Sequence, residues 1–245
     1  MSKLLNTTGG NTKIAKSMKT TLGTDKVRIA SLSMMPNDTL CPSRHNAGCA
    51  SPCLQSAGRG RMSNVAKGRQ RKTDWFMSDR EGFLTQLRKE MHSFIRTCSK
   101  QGIKPVFRLN TISDVQWETL LDLEGEFGDA FFYDYTKLAH RLGKTPSNYK
   151  LMFSFSSRSK YRKQVLKAMQ HNVPVAVVFE GELPKAFLNR PVIDGDQSDI
   201  QNVQSGRVVV GLRAKGDAKH DTSGFVVHDP ASLEQAYGID LIASA

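Results

Sequence analysis

Three cysteines fall within thirteen residues, Cys41, Cys49 and Cys53, in a C-x7-C-x3-C spacing. The surrounding stretch, residues 41–61, is rich in Gly, Ser, Ala and Pro and forms neither a strand nor a long helix. Thiolates this close in one loop can converge on a single metal centre. A 4Fe–4S cluster takes cysteine thiolates at its irons, and three ligands leave one iron open to a small molecule. Zinc held by the three cysteines and His45 is the competing chemistry. Against it, the loop has no C-x2-C knuckle, and His45 would have to fold back from only four residues past Cys41. A loop without metal is the third reading. The fourth cysteine differs. Cys98 is in helical phase with Met91, Phe94 and Ile95 and reads as a small core hydrophobe.

A second set of candidates lies at the ends of apolar segments. Arg108 and Asn110 close Pro105–Leu109, Asp134 closes Ala130–Tyr135, Ser154 and Ser156 close Tyr149–Phe155, and Glu180 follows Val173–Phe179. A polar side chain inside an apolar strand is costly unless it is paired. Arg108 and Asp134 are therefore expected either as an ion pair between neighbouring strands or as contacts to a ligand. The serines suit a ribose or a carboxylate, or the local backbone.

Charge marks a third set. The net charge is +12, and residues 1–72 carry 13 Lys and Arg against Asp25 and Asp38. Arg59, Arg61, Lys67, Arg69, Arg71 and Lys72 are the candidates for a phosphate-binding face, with nucleic acid or a host protein as partner. The same segment holds no Phe, Tyr or Trp, which argues against single-strand stacking.

The elements that must position these residues follow from periodicity. Val27–Met34 alternates apolar and polar residues and reads as a strand. A helix with Phe83, Leu87, Met91, Phe94, Ile95 and Cys98 on one face starts at Ser78 or Asp79 and ends at Gly102. A second is expected from Ser113 or Asp114 through Leu123, and a third from Ser157 or Ser159 through Met169. Between them come the four apolar segments above, and weaker strands follow at Pro191–Ile193, Arg207–Leu212 and Phe225–His228. Strands alternating with helices imply βαβ units and a mostly parallel sheet. With up to eight strands, a complete or partial β/α barrel is expected, and an open doubly wound sheet is the runner-up. Residues 1–25 read as a basic flexible arm, and 26–245 as one β/α domain carrying the cysteine loop.

No apolar run reaches the ~20 residues that span a bilayer. The opening Met-Ser-Lys-Leu-Leu turns polar at once, unlike a signal peptide. A cytoplasmic protein is the expectation, and clustered cysteines there favour metal over disulfides. Nucleotide P-loop, dinucleotide-binding, zincin and nucleophile-elbow motifs are absent.

Two resemblances add to this reading. Thr39-Leu40-Cys41-Pro42, Gly48-Cys49, Cys53-Leu54, the stretch Arg69–Thr73 before Trp75-Phe76, Arg108-Leu109-Asn110, Tyr133-Asp134-Tyr135-Thr136 and Phe153-Ser154-Phe155-Ser156 resemble the bacteriophage gene product 88 family. That resemblance implies expression in an infected bacterial host. More distantly, three cysteines in the loop after the first strand of a β/α barrel resemble the radical S-adenosylmethionine (SAM) enzymes. There an open iron chelates SAM, which implies SAM as a ligand and radical-SAM-like catalysis. The chain departs from that pattern in its C-x7-C-x3-C spacing and in lacking Gly-Gly-Glu after the second strand.

Overall fold

The computed structural model describes residues 3–8 and 11–243, with side chains to residue 237. Residues 1–2 and 9–10 of the expected arm, and 244–245 of the expected β/α domain, lie outside the described residues. β1 (Thr21–Leu22) pairs antiparallel with β2 (Asp25–Ser31). Then β3 (Lys104–Arg108), β4 (Phe131–Thr136), β5 (Tyr149–Ser154) and β6 (Val175–Phe179) follow in parallel, each beside its predecessor. β7 (Ala186–Phe187) pairs antiparallel with β8 (Arg190–Asp194), and β9 (Val209–Arg213) runs parallel between β6 and β8. The result is one nine-stranded, mostly parallel sheet in the order β1-β2-β3-β4-β5-β6-β9-β8-β7.

The sheet is buried on both faces. One face, with Phe107, Phe132, Phe153 and Val177, packs beneath α2 (Ser63–Ser78), α3 (Arg80–Ser99) and α4 (Arg162–Met169). The other, with Ile29, Val106, Tyr133, Met152, Ala176 and Val210, packs on Ile14 of α1 (Thr12–Ser17) and on Ile200 and Val203 of α5 (Asp199–Gln204). The period-2 alternation of parallel strands covered on both sides explains why these segments read as nearly continuous apolar runs. α3 forms where its stripe requires it. The Asp79 carboxylate accepts from Gly82 N–H at 2.9 Å as N-cap, and Phe83, Leu87, Met91, Phe94 and Cys98 are buried. Cys98 thus belongs to the helix-side core.

Four features depart from the sequence reading. The expected arm is packed: Leu4, Leu5 and Ile14 are buried, and Asn6 bridges Ser31 antiparallel. The helix expected over 113–123 is reduced to a 3-10 turn, Trp117–Thr119. There the Asn110 side chain takes over the backbone: its Oδ1 accepts from Val115 N–H, Ser113 O–H and Trp117 Nε1–H, and its Nδ2 donates to Val115 O. Such side chain–backbone bonds compete with helix. Phe225–His228 is no strand but leaves one bridge, Val227 to Phe179. Finally, α5 and α6 (Pro230–Ala243) were not expected, and β9 lies between β6 and β8 rather than beyond them.

Candidate functional site

On the α1/α5 side, at the C-terminal ends of the parallel strands, lies a cavity of about 840 Å³. Successive strands each contribute a residue from their last turns: Ser31, Arg108, Tyr135, Ser154, Val178 and Leu212. Cys41, Cys49 and Cys53 line the same cavity, so the loop after β2 folds back over the strand ends.

That loop is tied down at each stage. Asn37 receives Leu40 N–H on its Oδ1 and Cys41 N–H on its carbonyl. Gly48, immediately before Cys49, adopts φ +69°. A Cβ there would lie 2.6 Å from Arg158 Cδ and 2.7 Å from Ser223 Oγ, so both conformation and space demand glycine. Those neighbours are also the clamps. Arg158 Nη1 donates to His45 O, Ser223 O–H to Gly48 O, and Ser156 O–H to Ala47 O. Cys53 precedes a 3-10 turn, Leu54–Ser56, and its carbonyl accepts from Ser56 O–H.

The thiols influence one another. Burial first, then the charges of Asp114, Cys53 and Cys49, push the Cys41 thiol up to about 12, with Arg44 opposing. Cys53 is raised by burial and by Cys49, and lowered by the Gln55 N–H, Arg44 and Arg69. Without metal Cys41 and Cys53 are therefore held as thiols, and ligation would deprotonate them. Among the described residues no three His, Cys, Asp or Glu side chains already stand in a ligating arrangement. The donor set nevertheless fits a thiolate-ligated anionic cluster. Arg44, Arg69 and Lys137 line the cavity, and the Nη1 of Arg69 is buried without a hydrogen-bond partner. His45 fits zinc less well: its Nε2 turns to Asp38 at 2.8 Å, and it does not line the cavity.

The strand-end residues divide. Arg108, Asn110 and Ser154 line the cavity, while Asp134, Ser156 and Glu180 do not. Arg108 is 6% exposed and donates from Nη1 to Asp199 at 2.6 Å, not to Asp134. The two point to opposite faces because the register sets Phe107 beside Phe132, which puts Asp134 one residue past the neighbour of Arg108. Asp134 instead accepts from Asn110 N–H, Asn110 Nδ2 and Tyr149 O–H. Burial pushes its carboxyl up to about 7 despite those donors and the Arg108 and Arg141 charges. Ser156 holds the cysteine loop through Ala47, and Glu180 pairs with the exposed His228 at 2.9 Å.

The six basic candidates divide likewise. Arg59, Arg69 and Lys72 line the cavity, and Lys67 and Arg71 are exposed on α2. Arg61 pairs with Asp217 at 2.7 Å, and Lys72 donates to Leu4 O at 2.6 Å. They do not form one exposed face.

Two residues escaped the sequence reading. Lys137 is buried, with its Nζ donating to Ser154 O, Ser154 Oγ and Phe155 O and lying 4.7 Å from the Phe225 ring centroid. Burial lowers its pKa, against the pull of Cys49, Asp114 and Cys41. Its only signal was a lysine directly after an apolar strand. Asp199 is buried under Lys13 and Arg108 and accepts from Tyr135 O–H at 2.6 Å. Burial would raise its carboxyl, but the Lys13 and Arg108 charges more than offset that and hold it below the usual range. Nothing local marked it.

A nine-stranded α/β sheet with a cysteine-lined cavity at its strand ends defines the class of protein. The gene product 88 family matches residues 3–229, and the chain belongs to that phage family. No curated protein and no solved structure matches it.

Proposed function

We propose that Cys41, Cys49 and Cys53 hold a 4Fe–4S cluster, and that the protein binds a small molecule in the adjoining cavity. The observation that carries this reading is that Cys41, Cys49 and Cys53, from one pinned loop, all line a cavity whose cations would balance a thiolate-ligated cluster. When bound, the cluster would supply an open iron for a ligand. This chain's own residues do the rest. Arg44 and Arg69 would offset thiolate charge, Ser156, Arg158 and Ser223 hold the loop, and Arg108 and Ser154 present polar groups to the ligand, while the Asn110 side chain is spent on Val115, Ser113, Trp117 and Asp134. The radical SAM resemblance suggests SAM as one candidate ligand.

The sheet is proposed to be a partial β/α barrel. In support, β2 to β6 are parallel and adjacent in chain order, so right-handed crossovers all fall on one face, as in barrels and unlike doubly wound sheets. No described helix is long and apolar enough to cross a membrane. The cytoplasm of an infected host is the proposed location.

Anaerobic purification with iron and sulfide analysis tests the reading. About four irons and four sulfides per chain are expected, with both lost when the three cysteines become serine. A single zinc without sulfide would replace the cluster by the zinc reading. Affinity for DNA or RNA that falls steeply with salt would favour the basic-surface alternative.

A further inference from the structure

The cavity carries more positive charge than its own carboxylates can use. Nine of its lining side chains are Lys or Arg, against Asp114 and Asp196. Both carboxylates are already engaged. Asp114 accepts from Arg141 Nη1 and Lys137 N–H, and Asp196 pairs with Lys215 and Arg213. Lys13 and Arg108 share the single carboxylate of Asp199, which leaves one cation in excess there.

Two guanidinium nitrogens sharpen the point. Arg108 Nε and Arg69 Nη1 are both buried and have no hydrogen-bond partner. A buried donor left unpaired costs about 1–3 kcal/mol, and more when charged, so such donors are rare. Both side chains line the cavity, from β3 and α2, and a small turn of either guanidinium brings its unpaired donor to an anion with several oxygens seated there. Guanidinium groups match phosphate oxygens in geometry as well as charge. The remaining wall includes Ala176, Val178, Leu212 and Phe225, which suits an apolar or aromatic part. The volume lies within the range of pockets for drug-sized ligands.

We propose that the ligand of this cavity is a phosphorylated small molecule of nucleotide size, its phosphate oxygens accepting from Arg69 and Arg108 and its apolar part packing on Val178, Leu212 and Phe225. This rests on the reading that the cavity binds a small molecule, and not on the cluster.

Isothermal titration calorimetry of the full chain with ADP, adenosine and SAM tests it, with iron and sulfide measured on the same samples. ADP is expected to bind at least about tenfold more tightly than adenosine or SAM. Arg69→Gln should weaken ADP binding by about tenfold or more, and Arg69→Lys should fall between it and the parent. Lys67→Gln and Arg71→Gln remove the same charge from the exposed side of the same helix and should stay within about twofold. Circular dichroism establishes that each variant is folded. Equal losses in Arg69→Gln and Arg71→Gln, or adenosine or SAM binding as tightly as ADP, overturn the proposal. Cluster-loaded protein that ignores ADP overturns it while leaving the cluster reading intact. ADP binding to protein that holds no iron keeps it and removes the cluster.

Discussion

The polar groups around Arg141 and those around Arg69 make opposite use of an arginine. The Arg141 side chain is 1% exposed and every part of its fork is taken: Nε and Nη2 by the Glu118 carboxylate, Nη1 by Asp114 and Thr136, Nη2 also by the Tyr149 hydroxyl oxygen. Tyr149 in turn donates to Asp134, which receives Asn110. This is a closed network that joins the ends of β3, β4 and β5. Arg69 faces the cavity with a buried nitrogen that nothing accepts. Closed networks specify structure. Open donors beside a cavity are held at a cost to stability and suit a ligand. The difference separates framework polarity from binding polarity without reference to sequence position.

Breaking the closed network should be the most damaging change. Arg141→Met leaves the Asp114 and Glu118 carboxylates without their cation, and a loss of about 3–5 kcal/mol in urea denaturation is expected. A loss below about 1 kcal/mol would mean that the network is not closed in solution.

Asp134 sharpens the comparison through pH. Its folded carboxyl is raised to about 7, so the folded state favours the protonated form. Its contribution is then full below the unfolded value near 4 and is lost as pH rises toward 7. The stability of the parent relative to Asp134→Asn should therefore fall by about 2–3 kcal/mol between pH 5 and pH 8. A gap that grows with pH would show that the three donors outweigh burial.

Tyr149→Phe removes one hydroxyl between Asp134 and Arg141, and about 1–2 kcal/mol should be lost. Arg69→Gln should not destabilise the fold and should raise its stability by about 1 kcal/mol or more, because it removes a buried donor that has no partner. A destabilisation near that of Arg141→Met would place Arg69 in the framework and remove the contrast.

Much of the framework was legible along the chain. The expected strand Tyr149–Phe155 appears as Tyr149–Ser154 and Pro105–Leu109 as Lys104–Arg108, because apolar runs bounded by turn residues have few other ways to bury themselves. The helix with Phe83, Leu87 and Met91 appears with its Asp79 cap, since stripe and cap are both local signals. The helix over 113–123 failed because a residue outside it, Asn110, claimed its backbone. α5 escaped notice because at six residues it is too short for a periodic stripe.

The sequence by itself determined that three cysteines share one Gly- and Pro-rich loop after the first long strand, and that polar residues end the strands that follow. Composition, spacing and period are local, and they suffice for that. Only the tertiary structure decided that Arg108 answers Asp199, 91 residues away, while Asp134 turns to the opposite face and takes Asn110 and Tyr149. It also decided that the Ser156 hydroxyl donates to Ala47 O of the cysteine loop, and that Lys137 lines the same cavity as the thiols. Which face a strand residue points to depends on the phase of the whole strand within the sheet, and which charge it meets depends on elements that the chain supplies much later.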